Sequence, residues 1–174
     1  MSITENHPFY VPFYTIKINN WLDKKIKLLN LVDWSDKSCL TNEHFTDYHK
    51  YKKGNAPYFS AFFDIIKDDL KGFNNLEVRT LWAQRYNEQQ HMNVHTHGVL
   101  GFSAVLYAEF DKKEHKATTF YAPFPNFIDG TCMNYTPQVE EGDLLMFPSA
   151  LMHAATPNIS TKQRTIFSFN ANFI

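Results

Sequence analysis

The chain has almost no cysteine, no block of one charge sign and no long apolar run. Only two cysteines, Cys39 and Cys132, occur in 174 residues. They lie far apart in sequence, so they form neither a metal-type Cys pair nor a disulfide framework. Both read as free thiols in a reducing compartment. The formal net charge is −1. The densest basic cluster, Lys24, Lys25 and Lys27, reads as a solvated helix face, so nucleic acid is not an implied partner. No stretch approaches the length of a membrane span, and the start of the sequence shows neither a basic n-region nor a long apolar run. The expectation is therefore a soluble, cytoplasmic protein. Internal repeats and low-complexity tracts are absent too.

What is present is a globular composition, with 44% apolar and 20% charged residues. That excludes a disordered chain, and the length suits one domain spanning 1–174. Sixteen Phe and nine Tyr favour strands over helices. Phe9 to Ile18 reads as a strand broken at Pro12. Asn19 or Asn20 is placed to cap a helix running to about Leu31, with Trp21, Leu22, Ile26, Leu28 and Leu29 inward. Asp33 to Asn55 is rich in turn formers and reads as irregular. Pro57 can open a second helix to about Lys71, ended by Gly72, with Phe59, Phe62, Phe63, Ile66 and Leu70 on one face. From Leu76 onward the apolar runs are short and strand-like: Val78–Tyr86, Phe102–Phe110, Thr118–Tyr121, Leu144–Phe147 and Thr165–Phe173. The expected fold is mainly β in an α+β arrangement. A helical part covers about 1–74 and a β core about 75–174, with the helices packed outside the sheets.

Eight histidines occur, and three stand out by spacing. His95 and His97 are one residue apart, next to a strand. Alternate side chains of an extended chain point the same way, so both imidazoles can reach one ion. His153 follows the run Leu144–Phe147 and the turn Pro148–Ser149, and can return from a neighbouring strand as a third ligand. Three protein ligands with positions left open describe a catalytic rather than a structural metal site. His7, His44, His49, His91 and His115 lie in polar or turn-rich surroundings and read as surface residues. Arg164 enters a largely apolar strand eleven residues after His153. If it points inward it needs an anionic partner, and if outward it is merely solvated.

These segments resemble a known family. Gln84-Arg85-Tyr86-Asn87, followed by His95-Thr96-His97, is similar to the first motif of prolyl 4-hydroxylase-type 2-oxoglutarate/iron(II) oxygenases, in which a Tyr precedes a His-x-Asp pair by the same interval. Gly142-Asp143-Leu144-Leu145-Met146-Phe147-Pro148, with His153 and Arg164 after it, resembles the second. The closing run Arg164 to Asn170 and the opening Phe9 to Tyr14 are similar to a bacterial and phage branch that also carries His-x-His.

The resemblance implies a double-stranded β-helix of the jelly-roll, cupin-like kind, with N-terminal helices packed on one sheet. It implies iron(II) held by His95, His97 and His153, with His97 in place of the usual carboxylate. It further implies 2-oxoglutarate as co-substrate, bound by Arg164 and the Tyr86 hydroxyl, and ascorbate as a further candidate. Ile166 stands where many relatives place a Ser, and Ser168 on the same strand face is a candidate substitute. The implied reaction hydroxylates a small molecule or a peptide side chain, a prolyl residue among the candidates, using O2 and releasing succinate and CO2. Substrate selection is expected in Asn87–Asn93 and Phe124–Tyr135. Two other readings remain open on the residues alone. One is a three-His zinc or iron enzyme of cupin type that does not use 2-oxoglutarate. The other is a non-catalytic β-sandwich binding module.

Overall fold

The computed structural model describes residues 10–51 and 56–173. His7 and Phe9, which figure in the sequence reading, lie outside these residues. The strands are β1 (Tyr14–Lys17), β2 (Phe45–Thr46), β3 (Leu76–Tyr86), β4 (Met92–His95), β5 (Phe102–Glu109), β6 (Thr119–Pro125), β7 (Cys132–Tyr135), β8 (Asp143–Pro148), β9 (Met152–Ala155) and β10 (Arg164–Phe173). Two α-helices, α1 (Trp21–Leu29) and α2 (Phe59–Ile66), and a short 3-10 turn at Lys37–Cys39 precede β3 among the described residues.

The strands form two antiparallel sheets. The larger has the order β1-β8-β5-β10-β3-β2 and the smaller β4-β9-β6-β7. Tyr86, Val105, Tyr107, Phe120, Leu145, Phe147 and Ile166 form one apolar cluster, contributed by both sheets. Leu28, Phe62, Ile66, Leu81, Ala83, Leu106, Leu144, Met146, Phe167 and Phe169 form the other, between the helices and the larger sheet. Central strands of that sheet are therefore buried on both faces, which explains why β8 reads as an unbroken apolar run. This is the expected double-stranded β-helix with helices buttressing one sheet. No helix among the described residues is long and apolar enough to cross a membrane.

Several local expectations change. In α1 the inward residue is Leu28, with Trp21 and Leu29 half-buried, while Leu22 and Ile26 are 76% and 65% exposed. A helix of nine residues packs through a narrow stripe, and only one side of its apolar surface meets the sheet. Asn20 precedes it in a left-handed conformation without a side-chain cap. The second helix stops at Ile66 and continues as turns to Gly72, although Phe62, Ile66 and Leu70 are buried on one side as expected. The stretch read as irregular contributes β2, which pairs Phe45 with Arg85 and Thr46 with Gln84. The Gly142-Asp143 turn needs glycine: its φ is +88°, and a Cβ there would lie 2.6 Å from the Trp21 ring.

Candidate metal centre

His95 closes β4 and His153 lies on β9, and the antiparallel register sets the two opposite each other. His97 follows β4, where its backbone N–H donates to the Ser149 carbonyl at 3.0 Å. That bond ties the segment after β4 to the turn between β8 and β9. The three ring centroids stand 4.4–5.0 Å apart, and each residue offers a ligand atom within 4.8 Å of the others. The expected trio is thus brought together.

The donor set suits a divalent metal. The His95 Nδ1 lies 2.7 Å from the Asn93 carbonyl, and the His153 Nδ1 lies 2.8 Å from the Leu151 carbonyl. A carbonyl only accepts, so each Nδ1 carries the proton and each Nε2 keeps a free lone pair. This is the outer support that orients metal-binding imidazoles. Burial pushes the pKa of His97 down to about 3 and that of His153 to about 4. Both rings are therefore neutral, as ligation requires.

Behind the trio lies a small interior cavity of about 20 Å³, lined among others by Gln84, Tyr86, Ile166 and Ser168. Ser168 donates to Gln84 Oε1 at 3.3 Å. Arg164 is 2% exposed, so the inward alternative holds. Its two terminal nitrogens donate to the Lys116 and Thr156 carbonyls at 2.9 and 2.8 Å. Its guanidinium carbon sits 4.6 Å from the Tyr86 ring centroid. No carboxylate pairs with it among the described residues. Burial lowers the pKa of this guanidinium and raises that of the Tyr86 phenol. An arginine nonetheless keeps its charge in a protein. A buried cation facing only neutral acceptors is a place where an anion is favoured.

In front of the trio opens a cleft of about 380 Å³. Its wall comes largely from the segment Thr41–His49, with Trp82, Gln84, Met92, His95 and His97. The expected substrate loops are only partly matched. Met92 belongs to the first, whereas none of Phe124–Tyr135 lines the cleft.

The sequence reading also missed His44. It is 2% exposed, not a surface residue. Its ring stacks on Tyr86 with centroids 4.6 Å apart and planes at 18°. His115 is buried as well, where its Nδ1 accepts from the Asp111 backbone N–H at 3.0 Å. Both follow turn-forming residues, and no local pattern marks them as interior. His44 becomes buried through the long-range pairing of β2 with β3.

A family model described as "Putative 2OG-Fe(II) oxygenase" matches residues 80–170, more than half of the chain. HygX from Streptomyces hygroscopicus, solved with nickel, 2-oxoglutarate and hygromycin B bound, is 14% identical with a TM-score of 0.61, covering 94% of this chain and 83% of that one. A Pseudomonas putida prolyl-4-hydroxylase is 12% identical with a TM-score of 0.58, covering 93% and 92%. The viral collagen prolyl hydroxylase of Paramecium Bursaria Chlorella virus-1, solved as a 2-oxoglutarate complex, is 10% identical with a TM-score of 0.54, covering 93% and 96%. No curated protein matches. At such identities the solved structures establish the shared fold.

Proposed function

The chain belongs to the family of 2-oxoglutarate- and iron(II)-dependent oxygenases, and from that premise we propose that it hydroxylates a substrate bound in the cleft before His95, His97 and His153. The observation that carries the proposal is the pairing of three converging neutral imidazoles with a buried arginine whose partners are all uncharged. Either feature alone suits several enzymes. Together they suit a metal that is chelated by a dicarboxylate.

His95, His97 and His153 would hold iron(II) on one face, which leaves room for a bidentate keto acid and O2. Bound iron(II) supplies the oxidising chemistry, in which 2-oxoglutarate and O2 yield succinate and CO2 and one oxygen atom enters the substrate. Arg164 would take the distal carboxylate of the keto acid. The Lys116 and Thr156 carbonyls fix its fork, and Tyr86 covers it from one side. Tyr86 offers its hydroxyl to the same co-substrate. Asn93 and Leu151 hold the His95 and His153 rings in the tautomer that presents Nε2. The cavity containing Tyr86 has room for about one water as it stands, so the keto acid must displace lining side chains as it enters. Among the described residues the cleft wall includes one carboxylate, Glu43, and no Lys or Arg, which disfavours an anionic substrate.

The test is anaerobic titration with iron(II) and then 2-oxoglutarate, followed by succinate measurement over a panel of peptides, amino acids and small metabolites. One iron(II) per chain, and succinate that rises with one class of compound, is the expected result. Absence of iron(II)-dependent keto-acid binding would overturn the assignment.

A further inference from the structure

We propose that His44 is a positioning residue for the keto acid, acting through Tyr86; the proposal rests on the oxygenase reading above. His44 ends the turn that begins at Thr41. Its backbone N–H donates to Thr41 Oγ1 at 3.0 Å, and its carbonyl accepts from that hydroxyl at 2.7 Å. The turn thus delivers the imidazole to the interior edge of the cleft, where it lies nearly parallel to the Tyr86 ring.

Tyr86 has two close neighbours at its ring. The His44 ring and the Arg164 guanidinium each lie 4.6 Å from its centroid. The ring's negative π-face favours the Arg164 cation. A neutral flat ring suits the second contact, since a second cation would repel the first.

The hydrogen bonds around Gln84 make His44 that neutral ring. Trp82 Nε1 and Ser168 Oγ both donate to Gln84 Oε1, at 3.1 and 3.3 Å. The amide orientation is therefore set, and Gln84 Nε2 must donate to His44 Nε2 at 3.1 Å. The His44 proton then resides on Nδ1, a buried atom without a hydrogen bond of ordinary geometry among the described residues. Gln84 lines both the cleft and the inner cavity, and Tyr86 lines the inner cavity. His44 therefore fixes from outside a wall that the keto acid meets from inside. A wall already in place spares the ordering cost of binding.

Two variants separate the stack from the tether. His44→Phe keeps a flat ring but cannot accept from Gln84. His44→Asn keeps a polar group but has no ring. On iron(II)-loaded protein, His44→Asn should weaken 2-oxoglutarate binding about tenfold, in line with the loss of an aromatic pair. Its KM for the keto acid should rise while kcat for substrate-free turnover changes little, and iron(II) affinity should hold. His44→Phe should stay within about threefold of wild type. Unchanged keto-acid affinity in His44→Asn, or equal impairment in both variants, overturns the proposal. A further arm needs no variant. Nitrogen NMR of labelled wild type loaded with zinc(II) should show His44 as the Nδ1–H tautomer, with a signal that moves on adding 2-oxoglutarate. The opposite tautomer or an unmoved signal overturns it. If wild type binds no keto acid at all, the oxygenase reading falls first and takes this proposal with it.

Discussion

Arg164 and Tyr86 stand directly opposite each other where β10 begins and β3 ends, with the guanidinium carbon 4.6 Å from the ring centroid. Strand register alone brings them together. The same register places Ser168 opposite Trp82 and Ile166 opposite Gln84, so one antiparallel pair contributes Gln84, Tyr86, Ile166 and Ser168 to the lining of the inner cavity. The smaller sheet supplies His95 and His153 as a cross-strand pair. The two sheets thus divide the proposed site: one presents the candidate metal ligands His95 and His153, the other the groups proposed for the co-substrate.

Arg164→Leu should abolish 2-oxoglutarate binding while leaving iron(II) binding largely intact. Removing one partner of a desolvated charge pair costs on the order of 2–5 kcal/mol. The structure adds a second expectation, because the Lys116 and Thr156 carbonyls lose their donors. Both bonds are part-buried, so each loss should cost about 1 kcal/mol, and the thermal midpoint should fall slightly too. Arg164→Lys restores a charge without the fork and should recover only part of the affinity. Calorimetry with the keto acid on the iron(II)-loaded variants decides the matter. Unchanged affinity in Arg164→Leu would remove this residue from the co-substrate site.

Metal should stabilise the fold through the His trio. A ligand that binds only the native state at about 100 times its Kd adds about 2.7 kcal/mol. Anaerobic iron(II) should accordingly raise the thermal midpoint of wild type, and a chelator should reverse the rise. In His153→Ala the shift should largely vanish. The double replacement of His95 and His153 by Ala should bind no iron(II). Full occupancy in that double variant would refute the assignment of the centre.

Much of this site was legible in the sequence. His95, His97 and His153 are marked by spacing, and Arg164 by its position at the head of an apolar strand. The long central strands are legible too, because burial on one or both faces writes an apolar pattern along them. The short strands were not. β4 (Met-Asn-Val-His), β7 (Cys-Met-Asn-Tyr) and β9 (Met-His-Ala-Ala) have four residues each, and the smaller sheet is half exposed. Too few inward residues remain to set a period. The helix α1 misled for a different reason: Leu22 and Ile26 fit a helical period but face solvent. His44 was hidden because its burial depends on partners about forty residues away along the chain, which no local pattern encodes. The same pairing makes the segment 41–49 a cleft wall.

Metal-free protein should lose stability as the pH falls from about 6.5 towards 4. Burial lowers the folded pKa of His44 and His153 to about 4 and of His97 to about 3, against an unfolded value near 6.5. Between those values the unfolded chain takes up protons that the folded chain refuses. Stability from these groups is therefore complete above the unfolded pKa and is lost on acidification. Each contributes a slope of up to about 1.4 kcal/mol per pH unit inside the window. Urea unfolding of the metal-free protein across this range should show the decline, and His153→Leu should flatten it. A pH-independent unfolding free energy from neutral pH to about 4.5 would contradict the neutral, buried state of these rings.

His97→Asp is the most discriminating substitution, because it asks what the third ligand does. A neutral imidazole adds no charge to the centre, whereas a carboxylate adds one negative unit. If His97 faces the metal, the Asp variant has a two-His, one-carboxylate set at the same edge of the sheet. Asp is shorter, so the backbone must approach slightly. The neighbouring Gly98 has φ of +105° with open space around its Cβ position, which leaves room for that adjustment. The anchor between the His97 N–H and the Ser149 carbonyl involves backbone atoms only and survives the change. The added charge should tighten iron(II) in the resting site. It should also loosen 2-oxoglutarate, since one unit of favourable charge difference is lost as the dianion docks. Decarboxylation to succinate should persist. His97→Ala should instead weaken iron(II) without that compensation. Iron(II) affinity, keto-acid affinity and succinate yield, measured side by side for wild type and both variants, carry the answer. Indistinguishable values across the three would place His97 outside the centre and leave a metal held by His95 and His153 alone.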